Sequence, residues 1–154
     1  MTKVLFVCLG NICRSPLAEA LFKKHVEARG LKDKYAADSC GTAAYHIGAQ
    51  PDSRSRANAR KNGLEYTHAG RQISDRDFTE FDLIIPMDAS NEAHLRMADP
   101  TGRARIELMR NYDPGHEGMD VPDPYYGGEQ GFQNVFEILD RATGNLLAKL
   151  EAKA

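Results

Sequence analysis

The sequence is poor in cysteine and contains no familiar metal-binding motif. Only three cysteines occur in 154 residues, an odd number that argues against a disulfide scaffold and leaves room for a reactive thiol. Neither a pair of CxxC motifs nor an HExxH motif is present, and these are spacings that zinc sites use. We therefore expect no metal in this protein.

The chain also lacks a charge excess and a long apolar run. Its formal net charge is −2 at pH 7, so neither nucleic acid nor a membrane surface is an expected partner. No apolar stretch approaches membrane-spanning length, and a strand pattern begins directly after the first residues, so we expect a cytoplasmic protein. A hydrophobic fraction of 42% with 27% charged residues predicts one folded domain over residues 1–154.

An apolar run near the start of the chain leads into a loop of turn-forming residues. The run Val4-Leu5-Phe6-Val7 is too short for a core helix and predicts a buried strand that ends at Cys8. Gly10 and Asn11 follow, and these residue types best tolerate the positive φ that a tight loop requires. The sequence therefore predicts a strand followed by a tight loop.

The residues after this loop predict the start of a helix. Ser15 is a favourable N-cap and Pro16 suits the first helical position. A strand, a tight loop and a helix N-terminus aim backbone N–H groups and the helix dipole at one point, which makes a cradle for an anion. Cys8 and Arg14 bracket this cradle.

The resulting CxxxxxR arrangement indicates a cysteine nucleophile for phosphoryl groups. The thiolate is the reactive form of cysteine, and the loop amides, the helix N-terminus, the Arg14 charge and the Ser15 hydroxyl could each stabilise it at Cys8. The planar guanidinium of Arg14 can hold two phosphoryl oxygens, which a lysine cannot match. A lone cysteine at a strand end is more often inert and buried, but the residues around Cys8 argue against that interpretation.

Farther along the chain, strand patterns alternate with helix patterns. Strands are predicted at 35–40, 81–86 and 105–109, and helices at 16–29, 51–63, 88–97 and 132–150, with a short helix near 74–77. This alternation predicts an α/β fold with one open, mostly four-stranded parallel sheet and helices on both faces. Right-handed crossovers would place the Cys8 loop at the carboxyl edge of the first strand, where such sheets bind ligands.

A long segment rich in proline and glycine, residues 110–131, precedes the last helix. Segments of this kind in a compact domain are more often functional than idle. It contains Asp123 followed by Pro124, and such an aspartate seen alone is usually a turn residue. Because it accompanies a CxxxxxR loop, we interpret Asp123 as a candidate catalytic acid on a loop that the proline stiffens.

The stretch from Cys8 to Pro16, together with Asp123-Pro124-Tyr125-Tyr126, resembles the low-molecular-weight protein tyrosine phosphatases. Order, spacing and total length match over essentially the whole chain, and the stretches 68–73 and 87–91 match as well. The resemblance implies a phosphotyrosine phosphatase I-like fold, which is flavodoxin-like and doubly wound. It also implies a phosphoric monoester hydrolase that needs neither a metal nor an organic cofactor.

The resemblance implies a role for each residue of the predicted site. Cys8 would attack phosphorus and form a phosphocysteine, and Asp123 would protonate the leaving group and then accept a proton from the hydrolytic water. Ser15 would stabilise the thiolate, and Asn11 would brace the left-handed turn of the loop. Besides Arg14, the phosphate would be bound by the loop residues Leu9, Gly10, Asn11, Ile12, Cys13 and Ser15.

The resemblance also makes three tyrosines the walls of a deep slot, with Tyr125 and Tyr126 on one side and Tyr45 on the other. A deep aromatic slot favours phosphotyrosine because phosphoserine would be too short to reach Cys8. The expected partners are therefore phosphotyrosine-containing proteins, with inorganic phosphate or sulfate-like anions bound in the loop. We expect the protein to be a monomer.

The other two cysteines have different interpretations. Cys13 could be a small side chain packed under the loop, or a resolving thiol that forms a reversible disulfide with Cys8 and protects it from overoxidation. The family resemblance implies the second role, that of a redox partner. Cys40 is predicted to be a buried strand cysteine.

Several polar residues near these motifs have plainer interpretations. His68 and Asp88 are expected to buttress the loop or to cap a helix, and His46 is predicted only to lie in the loop that carries Tyr45. A solvated helix face is expected from Arg54, Arg56, Arg60 and Lys61, with steering of acidic substrates as a minority alternative.

Three other functions are compatible with parts of this sequence. A thiol-coupled arsenate reductase has a similar fold and loop, but it needs a further cysteine pair, usually after the third strand, and residues 84–97 contain no cysteine. Phosphoarginine phosphatases resemble this chain but carry a threonine at the position of Ile12, whose apolar bulk favours tyrosine phosphate. A module that only binds phosphotyrosine would need neither Cys8 nor Asp123. Phosphoarginine hydrolysis and arsenate reduction remain the alternatives.

Overall fold

A parallel β-sheet with the first strand at its centre organises the chain. The structure, a computed structural model, describes residues 1–125 and 127–154. The strand order is β2-β1-β3, with β1 at Thr2–Cys8, β2 at Tyr35–Gly41 and β3 at Leu83–Pro86. β1 is parallel to both neighbours, so the carboxyl ends of all three strands meet at one edge of the sheet. This confirms the predicted α/β architecture.

The predicted fourth strand is reduced to a single parallel bridge. Ile106 lies opposite Ile84 of β3, whose N–H donates to the Arg105 carbonyl at 2.9 Å and whose carbonyl accepts from the Glu107 N–H at 3.1 Å. Arg105 and Glu107 are not buried while Ile106 is, and Met109, the last residue of the predicted strand, already belongs to a 3₁₀ turn, so the pairing does not extend. Among the described residues the sheet therefore has three strands rather than four, with a bridge at the expected edge.

In residues 1–125 and 127–154, five α-helices and one 3₁₀ turn connect and cover the strands. The helices are α1 (Arg14–Ala28), α2 (Ser53–Lys61), α3 (Asp77–Glu80), α4 (Ala89–Ala98) and α5 (Gly128–Ala152), and the 3₁₀ turn is Met109–Tyr112. Within the part of the chain that the structure describes, no helix combines the length and hydropathy needed to cross a membrane.

Alternation along β1 sends side chains into two separate cores. Val4 and Phe6 pack with Phe22 of α1 and Leu139 of α5 on one face of the sheet, and the rings of Phe6 and Phe22 lie 5.7 Å apart. On the other face the core is formed by Leu5, Val7, Ile84, Phe78 and Leu95. Fully burying an aliphatic or aromatic side chain contributes about 1.5–3 kcal/mol, so these two cores hold β1 and the loop after it in place.

The start of α1 differs from its prediction. The helix begins at Arg14, and its N-cap is Cys13, which makes no side-chain capping bond. Ser15 therefore lies inside the first turn instead of capping it. Its hydroxyl contacts the Cys8 thiol, so it is not available to a backbone N–H group of its own helix.

A buried carboxylate anchors the segment between the 3₁₀ turn and α5. Asp113 is fully buried and accepts hydrogen bonds from Arg110 Nε at 3.1 Å and from Arg141 Nε of α5 at 2.7 Å. Arg110 also donates from Nη1 to the Asp120 carbonyl at 3.2 Å. The Arg141 guanidinium, followed by that of Arg110, holds the pKa of Asp113 below its usual value despite burial. This ion pair network fixes the path of the chain toward Asp123.

Asp113→Asn should reduce the free energy of unfolding at pH 7 by about 3 kcal/mol, because the Arg110 side chain, 8% exposed, would lose its counter-charge. A carboxylate with a depressed pKa stabilises the fold above its unfolded pKa and loses that contribution as the pH falls through its folded pKa. The difference in the free energy of unfolding between the wild type and Asp113→Asn should therefore become smaller below about pH 4.

Urea unfolding of both proteins between pH 7 and pH 3 measures this deficit, with the exposed Asp33→Asn as the control. A deficit that stays constant across that range would contradict the assignment to the Asp113 charge.

Candidate active site

A cleft of about 200 Å³ opens at the carboxyl end of β1. Its walls come from the loop after β1, the loop after β2 and the segment before α5. It is lined by Cys8, Leu9, Gly10, Ile12, Cys13, Arg14, Tyr45, His46, Asp123 and Tyr125. The candidate nucleophile, the arginine and the candidate acid, which are far apart in the sequence, thus share one cleft.

Asn11 holds the loop in its tight conformation from beneath the cleft. Its φ is +57°, in the left-handed region that asparagine tolerates better than most residues. The side chain is buried and fully paired. Its Nδ2 donates to Ser15 Oγ at 2.8 Å and to Ser39 Oγ at 3.1 Å, while Oδ1 accepts from His68 Nε2 at 2.8 Å and from the Arg71 N–H at 3.1 Å.

The thiol of Cys8 sits at the base of this loop with two polar contacts. Its Sγ lies 3.0 Å from Ser15 Oγ and accepts from the Asn11 N–H at 3.3 Å. Ser15 Oγ accepts from Asn11 Nδ2 and lies 3.3 Å from the Cys40 carbonyl oxygen, so its single proton can point either to that carbonyl or to the sulfur. The sulfur therefore faces one backbone N–H donor and one hydroxyl that can donate to it. Asn11 and Ser15 act from below the cleft and do not line it.

A close approach of β2 to the loop requires a glycine at position 41. A Cβ on Gly41 would lie 2.7 Å from the Leu9 carbonyl oxygen and 3.2 Å from the Asn11 backbone nitrogen. Next to it, the Thr42 N–H donates to the Cys8 carbonyl at 2.9 Å. Only a residue without a side chain lets β2 deliver the Tyr45 loop to the edge of the cleft.

The guanidinium of Arg14 is held in a buried position by two acceptors. Its Nη1 donates to Asp88 Oδ2 at 2.8 Å and to the Val121 carbonyl at 3.0 Å. Burial opposes its charge, but the Cys8 sulfur and the Asp88 carboxylate outweigh that effect and raise the pKa of Arg14. Asp88 also caps α4 by accepting from the Asn91 N–H at 2.8 Å, so both functions expected of Asp88 are found. Because only Nη1 makes these contacts, the rest of the fork can face the cleft.

The remaining predicted residues form the rim of the cleft. Asp123 is exposed, and its Oδ1 accepts from the Tyr125 N–H at 3.0 Å. Tyr125 and Tyr45 line the cleft from opposite loops, with exposures of 40% and 74%. Tyr126, the other expected wall residue, lies outside the described residues. Both Tyr45 and Tyr125 thus line the cleft, and their role as walls of a deep slot stays a prediction.

The two other cysteines are free thiols in this structure. Burial, followed by the Asp52 charge, raises the pKa of Cys13 to about 12, so Cys13 is a neutral thiol at physiological pH. Its pairing with Cys8 stays a prediction. Cys40 lies in β2 with no exposure, which confirms its expected place in the core.

One cluster near the site has the composition of a metal site. Ligand atoms of Glu19, Asp38 and His68 lie within 4.8 Å of one another. Lys23 pairs with Glu19 at 2.5 Å and Arg71 pairs with Asp38 at 3.0 Å. The charges of both carboxylates are thus already balanced by cations of the protein, and His68 donates to Asn11. The cluster supports the loop, as was expected of His68.

One arginine of α2, Arg54, makes contacts that a solvated helix face does not predict. Arg54 was assigned to a solvated helix face, yet its guanidinium donates to the Tyr125 carbonyl at 2.9 Å and stacks on the Tyr125 ring. Asp52 is the N-cap of α2 and accepts from the Arg54 N–H at 2.8 Å, which is a contact that the sequence pattern can predict. The partner Tyr125 is remote in sequence, so this contact could not be read from the sequence.

The chain is similar to known phosphatases in both sequence and structure. The sequence profile of the family described as "Low molecular weight phosphotyrosine protein phosphatase" matches residues 3–154. A putative low molecular weight protein-tyrosine-phosphatase of Synechocystis is 43% identical over 150 residues, which cover 96% of both chains. A crystal structure of a protein tyrosine phosphatase from Entamoeba histolytica, with Hepes in its active site, has a TM-score of 0.95, 44% identity and 99% coverage of both chains. The Drosophila arginine phosphatase has a TM-score of 0.90 with 34% identity and covers 97% of this chain and 98% of its own.

Proposed function

The chain belongs to the low molecular weight phosphotyrosine protein phosphatase family, whose members are hydrolases of phosphoric monoesters, and we propose that Cys8, Arg14 and Asp123 perform the hydrolysis. The observation that carries this proposal is the shared cleft, in which a thiol with two polar contacts lies beside a buried guanidinium and an exposed carboxyl group. Relatives named for phosphotyrosine support the same substrate for this chain.

In the first step the Cys8 thiolate attacks phosphorus in line with the leaving oxygen. A sulfur–phosphorus bond forms while the bond from phosphorus to the phenolic oxygen breaks, and Asp123 gives its proton to that oxygen. Arg14 and the loop amides bind the equatorial oxygens, where charge is spread in the transition state. The phenol then leaves between Tyr45 and Tyr125.

In the second step water replaces the sulfur. The Asp123 carboxylate accepts a proton from the attacking water, a phosphorus–oxygen bond forms, and the sulfur–phosphorus bond breaks to release inorganic phosphate. The Ser15 hydroxyl donates to the sulfur as it becomes a thiolate again. One carboxyl group thus serves as acid and then as base, and the protein returns to its starting state.

The partners follow from the shape and charge of the cleft. Phosphotyrosine in proteins suits a slot between two aromatic side chains, and the loop should also hold inorganic phosphate and sulfate-like anions. The Entamoeba relative carries Hepes, a sulfonate, in its active site, which supports anion binding here. We infer a monomer that works in the reducing cytoplasm, where free thiols such as the three cysteines of this chain persist.

Asp123→Asn should reduce kcat/KM strongly for aryl phosphates with basic leaving groups and only slightly for those with acidic leaving groups. The reason is that an acidic phenol leaves without a proton, whereas a basic one requires the acid, which contributes about 10²–10⁴-fold. Initial rates on a series of substituted phenyl phosphates give the slope of log kcat/KM against leaving-group pKa. Cys8→Ser provides the inactive reference. An equal loss across the series would refute Asp123 as the acid.

The phosphoarginine alternative depends on one side chain in the loop. Ile12 lines the cleft, and its apolar branch offers no acceptor to the N–H groups of a phosphorylated guanidinium. A pocket that must leave polar N–H groups unpaired discriminates against the ligand that carries them. We therefore infer that phosphotyrosine is preferred over phosphoarginine.

Parallel assays on phosphotyrosine and phosphoarginine peptides should give a higher kcat/KM for phosphotyrosine. Ile12→Thr, which supplies a hydroxyl acceptor, should lower the ratio of the two values by about tenfold or more. Ile47→Thr is the matched control because it makes the same exchange at an exposed position outside the lining of the cleft. Turnover of phosphoarginine at a rate equal to or above that of phosphotyrosine by the wild type would favour the alternative.

A further inference from the structure

Arg54 lies between the loop that carries the nucleophile and the segment that carries the acid. It occupies the first turn of α2, and its guanidinium contacts the Asp52 carboxylate through Nε at 3.2 Å and Nη2 at 3.0 Å. The third nitrogen, Nη1, donates to the Tyr125 carbonyl at 2.9 Å. All three nitrogens of one planar group are therefore committed to fixed acceptors.

Two aromatic rings fix the guanidinium further. Its central carbon lies 4.9 Å from the ring centroid of Tyr125 and 4.9 Å from that of Phe132 in α5. A guanidinium over an aromatic face is attracted by the ring quadrupole. Arg54 thus connects α2, the Tyr125 turn and the start of α5 through one side chain.

The ends of this contact chain reach both halves of the catalytic site. On one side, the Asp52 N–H donates to the Ile12 carbonyl at 2.8 Å, which ties the start of α2 to the phosphate loop. On the other side, the Tyr125 N–H donates to Asp123 Oδ1 at 3.0 Å. The contacts from Ile12 through Asp52, Arg54 and Tyr125 to Asp123 form a continuous path.

The acid needs such a connection because its own segment has no regular structure. Asp123 is exposed and lies between the 3₁₀ turn and α5, whereas Cys8 is fixed by the sheet. A general acid must reach within about 3 Å of the leaving oxygen, and a displacement of about 1 Å can cost about 100-fold in rate. Some contact must therefore hold the acid segment at a set distance from the phosphate loop.

We propose that Arg54 is a positioning residue for acid catalysis, which holds the Asp123 carboxyl over the cleft by clamping the Tyr125 turn to the phosphate loop. This proposal rests on the proposed role of Asp123. Arg54 is 47% exposed, and ion pairs with such exposure add little to stability. Its loss should therefore affect the proton-transfer step far more than the unfolding equilibrium.

The test compares Arg54→Met and Arg54→Lys with the wild type on the series of aryl phosphates. Arg54→Met should lower kcat/KM by about 10-fold to 100-fold for basic leaving groups and by less than threefold for acidic ones. Arg54→Lys keeps the charge but cannot contact Asp52 and the Tyr125 carbonyl with one planar fork, so it should restore only part of the loss. Arg60→Met is the control, since Arg60 is exposed on the same helix and pairs only locally with Glu65.

A double variant separates this proposal from the one on which it rests. In an Asp123→Asn background, Arg54→Met should cause no further loss with basic leaving groups, because the acid it positions is gone. A uniform loss across leaving groups, a full additional loss in that background, or full activity of Arg54→Lys would each overturn the role of Arg54 while leaving Asp123 as the acid. If Asp123→Asn itself shows no dependence on the leaving group, both assignments fail.

Discussion

The left-handed turn at Asn11 is the constraint on which the site depends. A residue with φ of +57° in the middle of the loop reverses the chain, so that Cys8 and the start of α1 surround one point. Hydrogen bonds stabilise this turn. The buried side-chain amide of Asn11 makes four of them, to Ser15, Ser39, His68 and the Arg71 backbone, and these satisfy each of its polar atoms. Leaving any of these buried groups unpaired would cost about 1–3 kcal/mol. The conformation of the anion cradle is therefore supported by hydrogen bonds within the protein itself.

The acid segment reaches the cradle through arginines. Arg14, Arg110 and Arg54 each donate from Nη1 to a backbone carbonyl of this segment, those of Val121, Asp120 and Tyr125. Each of these arginines also contacts a carboxylate elsewhere in the fold. Since a guanidinium offers five donors in one plane, one side chain can fix a segment that has no strand or helix of its own. Three hydrogen-bonded carbonyls within residues 120–125 restrict the position of the Asp123 carboxyl group.

The sequence was informative where function needs particular residue types at short spacing. The CxxxxxR loop, the strand before it and the helix after it follow local rules, so they could be predicted, as could the aspartate before Pro124. It was uninformative where contacts depend on how distant elements approach. Gly41 is required only because the Leu9 carbonyl passes close by, and the burial of Asp113 between two arginines has no local pattern. The predicted fourth strand is too long because the chain turns after the Ile106 bridge, and the buried Leu108 and Met109 lead into the 3₁₀ turn.

The proposed mechanism depends on a covalent phosphocysteine intermediate at Cys8. The most direct measurement is rapid acid quenching of the wild-type protein during turnover of p-nitrophenyl phosphate, followed by peptide mass spectrometry. The account predicts a transient phosphate on the peptide that contains Cys8, with fragmentation that assigns it to Cys8 and not to Cys13. Phosphate on another residue, or turnover without any phosphorylated peptide under conditions that preserve a thiophosphate, would contradict it.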